Sequence, residues 1–208
     1  MLGCAPGLAA VWAAVPSARV VGGAVRDSLL GAAVADIDLA TPLPPAAVTA
    51  ALVAAGLGAK PTGLAHGTVT AVAAGRGYQI TTLRRDVATD GRRAVVAFTD
   101  DWRADAARRD FTFNALSWDR AGGVYDYWGG IADLRAGRVR FVGDPAARIA
   151  EDYLRVLRFF RFFARFGRQA PDAATEAALQ AGVPGLAGLS AERVRYEILG
   201  LLAAPDPR

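Results

Sequence analysis

Two adjacent glycines, Gly22 and Gly23, are the feature that most restricts how this chain can fold. They follow the apolar pair Val20-Val21, which is typical of a short buried strand, and they precede a segment from Val25 to Leu30 with the pattern of a helix. Because glycine has no Cβ, a turn built from it lets a ligand approach the backbone closely. The sequence predicts a strand, a glycine turn and a helix of about two turns, which ends at Gly31.

A pair of aspartates follows this helix, in a segment from Asp36 to Ala40 that we predict to be a strand. Successive strand residues point to opposite faces, so Asp36 and Asp38 would share one face and Ile37 and Leu39 the other. Neighbouring carboxylates repel each other unless a cation lies between them, and Mg²⁺ binds carboxylate oxygens together with substrate phosphates. The pattern therefore favours a metal site, although an ordinary surface Asp-x-Asp beside a tight turn has the same pattern.

The order of the remaining segments indicates a mixed domain followed by helices. Residues 46–55 have a helical pattern, residues 67–74 and 77–84 that of a hairpin, and residues 84–110 that of a charged loop. The segment 124–143 supplies strand-like stretches and glycine turns. From about Pro145 the pattern is helical, with one long helix over 146–167, a second over 172–182 and a third that begins after Ser190 as its N-cap.

Composition limits the class of protein. An apolar fraction of 53% permits a proper core, and Cys4, the single cysteine, excludes an intrachain disulfide within these 208 residues. We predict that the apolar opening segment is a helix packed on the domain, and no run reaches the roughly 18 to 20 apolar residues that a membrane span needs. A cytoplasmic location is expected. Lys60 is the sole lysine, and arginine suits phosphates and base edges, although a GC-rich genome produces the same bias.

Three charged residues in the long predicted helix could select a base. Asp152, Arg155 and Arg158 recur every three residues and would share one helix face. A carboxylate beside a guanidinium offers an acceptor next to a donor, which matches the amino group and ring nitrogen of cytosine and adenine and opposes uracil and guanine. Such a pair could choose C and A without a nucleic-acid template. The alternative is an exposed salt bridge between neighbouring helical turns.

These motifs resemble those of the bacterial tRNA nucleotidyltransferase (CCA-adding enzyme) and poly(A) polymerase family, of the polymerase-β nucleotidyltransferase superfamily. The similarity includes "GGAVRDSLLG" with "DIDLAT", then "GLAHGTVT", "TTLRRDVATDGRRA", "RRDFTFNAL", "GDPAARIAEDYLRVLRFFRF" and "LSAERVRYE", in the family's order. The resemblance implies an α+β fold with a mixed polymerase-β-like sheet and flanking helices, followed by an all-helical neck. It implies a head domain over 1–140 and a C-terminally truncated neck over 141–208.

The resemblance also implies a role for each matching residue. Gly22, Gly23 and Arg26 would contact the triphosphate, and Asp36 and Asp38 would be the catalytic residues that bind Mg²⁺. Arg109 and Asp110 would contact the nucleotide, including its ribose. Asp152 and Arg155 would select the base, and Arg158 would also bind the nucleotide. The alternative for Arg109 and Asp110 is a purely structural role, as a local salt bridge at the start of a helix. The implied substrates are CTP and ATP, the implied partner is the tRNA 3′ end, and no membrane is involved.

Two departures from the family pattern keep other hypotheses open. Superfamily members often carry a third acidic residue on a later strand, and the matching position here is Gln79. The chain also ends shortly after Glu192 and Arg193, so we expect that it lacks the helical body and tail that hold tRNA. A poly(A) polymerase that uses ATP alone and a non-catalytic nucleotide- or RNA-binding module remain alternatives. The loop at 84–94 resembles the flexible loop of the family.

Overall fold

The structure of the chain, a computed structural model, describes residues 5–63, 66–89 and 94–204. They form two compact units. One unit, here called the sheet unit, comprises the described residues up to 85 together with 96–108 and 114–127. The other, here called the helical unit, comprises the described residues of 86–95, residues 109–113 and the described residues from 128 onward.

The sheet unit contains a mixed sheet whose described residues form seven strands, in the order β3-β4-β5-β2-β1-β8-β9. Strands β2 and β5 pair in parallel, whereas β1 pairs antiparallel with both β2 and β8. A separate sheet pairs β6 with β7. The strands are β1 (Arg19–Val21), β2 (Asp38–Thr41), β3 (Gly58–Gly63), β4 (Thr68–Ala73), β5 (Arg76–Thr82), β6 (Arg84–Thr89), β7 (Ala94–Phe98), β8 (Ser117–Trp118) and β9 (Val124–Tyr125).

Alternating burial explains the central hairpin of this sheet. In β4 every second residue is buried, with Val69, Ala71 and Ala73 facing the core. The turn to β5 contains only Ala74 and Gly75, because Ala73 pairs with Arg76. Both turn residues have positive φ, 49° and 74°, as a type I′ hairpin turn requires. The hairpin predicted from the sequence is therefore present.

Helices accompany the sheet as predicted. In α1, Leu8, Val11 and Trp12 are buried, a spacing that places them on one helical face. The predicted helix after the glycine turn is α2, and Pro45 occupies the first position of α3, where its missing N–H is tolerated. The helices of the sheet unit are α1 (Leu8–Ala14), α2 (Gly23–Leu29), α3 (Pro45–Ala54) and α4 (Trp102–Ala107).

The charged segment 84–110 is not a simple loop, which corrects the sequence prediction. It contains β6, β7 and α4, and residues 90–93 lie outside the described residues. Asp101 begins α4 as its N-cap, since its carboxylate accepts the N–H groups of Arg103 and Ala104. Helix α4 thus starts at a capping signal that the high charge of the segment concealed.

The helical unit contains α5 (Gly130–Ala136), α6 (Pro145–Glu151), α7 (Leu154–Phe166), α8 (Ala173–Gly182) and α9 (Ala191–Leu202). Its core is an aromatic cluster in which Phe111 stacks with Phe113 and contacts Phe141, Phe159 and Phe162. Helix α5 replaces part of the predicted strand-like stretch. Helix α9 begins after Ser190 as predicted, although the Ser190 side chain makes no capping hydrogen bond.

The long helix predicted over 146–167 is divided into α6 and α7, and this is a second correction. Asp152 has an extended backbone, with φ −159° and ψ 103°, and ends α6. Its Oδ1 accepts the N–H of Leu154 at 3.2 Å, so the side chain replaces the backbone hydrogen bonds that a continuous helix would make. Asp152 therefore does not share a helix face with Arg155 and Arg158.

None of the described helices combines the length and apolarity that crossing a bilayer would demand. The α+β fold with a mixed sheet, flanking helices and a following helical region agrees with the sequence prediction.

Candidate functional site

The glycine turn is fixed by backbone hydrogen bonds within the sheet unit. Gly22 has φ 70°, in the half of conformational space that favours glycine. Its N–H donates to the Leu116 carbonyl at 3.1 Å, and its carbonyl accepts the N–H groups of Val25 and Arg26 at 3.1 and 3.2 Å. The chain therefore leaves β1 through a rigid turn and enters α2 directly at Gly23.

Arg26 forms hydrogen bonds with side chains inside the sheet unit. Its side chain is buried, with only 6% of the residue exposed. Nε and Nη2 donate to the two carboxylate oxygens of Asp27, each at 2.9 Å, and Nη1 donates to Asn114 Oδ1 at 2.6 Å. A Cβ on Gly23 would lie 3.3 Å from Arg26 Nη2, so the guanidinium packs against the glycine turn. A direct contact between Arg26 and a phosphate stays a prediction.

Asp36 and Asp38 lie next to this turn, with one correction to the predicted strand. Strand β2 begins at Asp38, so Asp36 precedes it. Val20 of β1 pairs with Leu39, and β1 ends at Val21, so the residues before Asp38 have no partner in β1. Burial still alternates: Asp36 and Asp38 are exposed, whereas Ile37 and Leu39 are buried.

Gln79 is the register partner of Asp38 in the parallel pair of β2 and β5. Both side chains are exposed, while the next pair in register, Leu39 and Ile80, is buried. Gln79 therefore lies beside Asp38 on the same side of the sheet, and its amide oxygen is a neutral oxygen donor there. Arg76, also in β5, donates to the Ala35 carbonyl and so anchors the segment that leads into Asp36.

The two aspartates have the chemistry that a hard divalent cation requires. Oxygen donors are the ligands of Mg²⁺, and a pair of exposed carboxylates leaves room for water and phosphate oxygens. Among the described residues, no group of three or more His, Cys, Asp and Glu side chains is arranged to hold a metal ion. A metal-binding role for Asp36 and Asp38 therefore stays a prediction.

Asp110 and Arg158 form an ion pair in the helical unit. Asp110 Oδ2 accepts Arg158 Nε at 2.8 Å and Nη2 at 2.5 Å, and Oδ1 accepts the N–H of Phe111. Arg158 Nη1 donates to Glu197 Oε1 at 3.3 Å. Burial alone would lower the pKa of Arg158, but Asp110 and Glu197 outweigh it and raise the pKa above its ordinary value. Arg158 is therefore positively charged and held in place by two acidic partners. Arg109, the residue before Asp110, is half-buried.

Asp152 and Arg155 have separate ion-pair partners. Asp152 Oδ2 accepts Arg193 Nη2 from α9 at 2.8 Å. Arg155 Nη1 donates to Glu151 Oε2 at 2.6 Å and to the Arg148 carbonyl at 2.7 Å. Asp152 and Arg155 thus belong to two neighbouring ion pairs and not to one charged helix face as predicted. Asp152 is the more accessible anion, with 30% of its side chain exposed against 17% for Glu151.

The segment that carries Asp110 is held by close backbone packing in the helical unit. A Cβ on Gly130 would lie 2.2 Å from the Thr112 carbonyl oxygen, so only glycine fits at this position of α5. Thr112 Oγ1 donates to Asp133 Oδ2 at 2.7 Å, and the Thr112 N–H donates to the Arg140 carbonyl. These contacts fix the backbone that follows Asp110.

The sequence analysis missed three acidic partners: Asp27, Glu151 and Glu197. Glu151 lies four residues before Arg155, a spacing that predicts a helical ion pair. Asp27 is adjacent to Arg26 and carries no such spacing signal. Glu197 lies 39 residues after Arg158, so only the folded chain brings the two together.

Comparison with known proteins gives the family. The poly A polymerase head domain family matches residues 18–140, more than half of the chain. The chain belongs to this family. The resemblance that was drawn from the sequence motifs is confirmed, and the head domain match includes the glycine turn, both aspartates and Arg109-Asp110.

Relatives with established names are similar in sequence to most of this chain. It is 44% identical over 187 residues to the human mitochondrial CCA tRNA nucleotidyltransferase 1, covering 88% of this chain and 43% of the relative. It is 41% identical to a CCA-adding enzyme of Leuconostoc mesenteroides, covering 89% of this chain and 45% of the relative. The chain therefore spans less than half the length of these curated relatives.

Solved structures show the same fold. The Bacillus stearothermophilus CCA-adding enzyme in complex with CTP has a TM-score of 0.83 and 36% identity, covering 94% of this chain and 47% of that protein. A tRNA nucleotidyltransferase complexed with a primer tRNA and an incoming ATP analog has a TM-score of 0.74 and 26% identity, covering 94% and 56%. The seven-stranded sheet and helical region thus belong to the architecture of these nucleotidyltransferases.

Proposed function

We propose that this protein is an RNA nucleotidyltransferase that adds CMP and AMP, from CTP and ATP, to the 3′ end of tRNA with Mg²⁺ and without a nucleic-acid template. One observation carries the proposal: the glycine turn that ends β1 lies beside the start of β2, where Asp36 and Asp38 are both exposed. The similarity to CCA-adding enzymes, in structures with CTP and with tRNA, supports the same substrates and partner here.

The sheet unit supplies the groups for phosphoryl transfer. Gly22 and Gly23 lack a Cβ, so the backbone of the turn can approach the triphosphate closely. Asp36 and Asp38 would hold Mg²⁺, which would activate the attacking hydroxyl and stabilise charge on the leaving pyrophosphate. The RNA 3′-hydroxyl would lose its proton to solvent, and its oxygen would form a bond to the α-phosphorus as the bond to pyrophosphate breaks. Little besides positioning is then asked of the protein. Arg26 would hold the turn through Asp27 and Asn114.

The helical unit supplies recognition of the nucleoside. Arg109 and Asp110 would contact the nucleotide, and a carboxylate that accepts from a ribose hydroxyl favours ribonucleotides. Asp152 and Arg155 would select C and A, because mispairing with U or G leaves polar groups unsatisfied at about 1 to 3 kcal/mol each. Arg158 contributes by fixing Asp110.

We assign residues 1–140 to a nucleotidyltransferase head and 141–208 to a helical neck. The head domain match over 18–140 supports the first assignment. The bacterial relatives favour a cytoplasmic location.

The metal-ligand variants Asp36→Asn and Asp38→Asn test this proposal. Each removes one negative charge and keeps the size of the side chain. We would supply CTP, Mg²⁺ and a tRNA acceptor minihelix that lacks CCA, and measure incorporation per chain. The expected result is incorporation by the wild type and a loss of at least about a hundredfold in each variant, with RNA affinity retained. Equal incorporation by wild type and variants would contradict the proposal, and RNA binding without any wild-type incorporation would indicate a non-catalytic module.

A further inference from the structure

Helix α9 contacts two of the residues proposed to recognise the nucleotide. Arg193 and Glu197 lie four residues apart and therefore share one face of the helix. Arg193 is paired with Asp152, and Glu197 with Arg158. The interpretation of the sequence gave α9 no function beyond its family motif.

The burial of Glu197 has no explanation in stability alone. Only 1% of this residue is exposed, whereas Tyr196, Leu199 and Leu202 of the same helix are exposed by 67%, 54% and 65%. The helix therefore buries the Glu197 carboxylate while three of its large apolar side chains are exposed. Burial of a carboxylate is costly even when it is paired, and an apolar residue in its place is often neutral or stabilising. A charge retained under these conditions indicates a positional role.

Glu197 holds Arg158 from the side opposite to Asp110. Arg158 uses Nε and Nη2 for Asp110 and Nη1 for Glu197, so its guanidinium plane is fixed by partners on two elements. Glu197 Oε2 lies 2.9 Å from Arg161 Nε, an ion pair without hydrogen-bond geometry. The two acids and two arginines balance in charge, and removal of Glu197 would leave a net positive charge beside Arg158.

Arg193 orients Asp152 in a similar way. Asp152 Oδ1 accepts the N–H of Leu154, and Oδ2 accepts Arg193 Nη2, so the carboxylate plane is fixed at both oxygens. Because α6 ends at Asp152, this residue has no helix of its own to orient it. The orientation of its carboxylate thus depends on α9.

We propose that α9 is the positioning helix for nucleotide recognition, in which Glu197 orients Asp110 through Arg158 and Arg193 orients Asp152. The inference rests on the proposed function, since it assigns Asp110 to the ribose and Asp152 to the base. It makes both α9 residues determinants of specificity that need not touch the nucleotide.

Equilibrium binding of CTP, dCTP and UTP with Mg²⁺ separates the two arms of this proposal. Glu197→Gln should lower the preference for CTP over dCTP about tenfold, or about 1.4 kcal/mol, and leave the preference for CTP over UTP unchanged. Arg193→Gln should lower the preference for CTP over UTP severalfold and leave the sugar preference unchanged. Glu192→Gln is the matched control, because it removes an exposed charge from the same helix and should change neither ratio.

A second variant, Arg158→Lys, tests the same role if Glu197→Gln does not fold. If Glu197→Gln does not give a cooperative unfolding transition, Arg158→Lys keeps the charge, removes the fork and should produce the same loss of sugar preference. Unchanged ratios in these variants, or an equal loss of affinity for all three nucleotides, would overturn the positioning role. A wild-type chain that binds CTP, dCTP and UTP alike would overturn the proposed function, and this proposal with it.

Discussion

Replacement of Arg26 by lysine tests whether this residue supports the glycine turn from within. Lysine keeps the positive charge but offers a single ammonium group in place of the planar fork. Arg26 donates two hydrogen bonds to Asp27 and one to Asn114, and a lysine can retain one of these three. The two lost bonds involve a charged group, at about 1.5 kcal/mol or more each, so we expect Arg26→Lys to lower the free energy of unfolding by about 3 kcal/mol.

Urea denaturation followed by tryptophan fluorescence measures this loss. With a urea dependence of about 3 kcal/mol/M, the unfolding midpoint should fall by about 1 M. Arg120→Lys is the matched control in the same unit, because Arg120 is exposed, and its free energy of unfolding should stay within about 0.5 kcal/mol of the wild type. An unchanged midpoint for Arg26→Lys, together with a large loss of CTP affinity, would refute the internal role and indicate a direct phosphate contact.

Three further changes have defined outcomes. Gly130→Ala should lower the melting temperature strongly, at a cost of about 3 kcal/mol, because its Cβ would lie 2.2 Å from the Thr112 carbonyl oxygen; differential scanning calorimetry measures this. Asp172→Ala removes the N-cap of α8 and should cost about 1 kcal/mol at neutral pH. A backbone hydrogen bond from Thr175 lowers the pKa of Asp172, so this cost should be full above pH of about 4 and disappear as the pH falls through the lowered pKa; denaturation at several pH values checks this. Gln79→Glu places a third carboxylate beside Asp38 and should lower the Mg²⁺ concentration for half-maximal transfer severalfold, measured by magnesium titration of nucleotide incorporation.

Local patterns were sufficient to predict most of the sheet unit. The patterns of segments 67–74 and 77–84 predicted the β4–β5 hairpin, since the two segments lie within a few residues of each other. The glycine pair located the turn between β1 and α2 for the same reason. The parallel pairing of Asp38 with Gln79 could not be read from a pattern, because it depends on the crossover between β2 and β5.

The helical unit shows where periodicity is insufficient. The apolar repeat continues through α6 and α7, yet the helix is interrupted at Asp152. The Asp152 side chain accepts a hydrogen bond from the N–H of Leu154, which competes with the backbone hydrogen bonds of a continuous helix. Arg158 pairs with Asp110 across 48 residues of sequence, and such a pair leaves no spacing signal. The candidate residues were therefore found by type, while their partners depend on tertiary structure.

The prediction of a loop in the charged segment after β5 was wrong for another reason. The high density of charge between Arg84 and Asp110 indicated a loop, although Asp101 followed by a helical pattern is an N-terminal helix signal. Charge is a property of the exposed face of an element, and it does not exclude the element itself.

The order in which nucleotides are added tests the central claim most directly. We would incubate the chain with Mg²⁺, all four ribonucleoside triphosphates and a tRNA acceptor minihelix that lacks its CCA end, and size the product at nucleotide resolution. We expect two additions of C, then one of A, with U and G refused. A ladder of A alone would indicate a poly(A) polymerase, and incorporation of U or G at comparable rates would contradict selection of the base by Asp152 and Arg155.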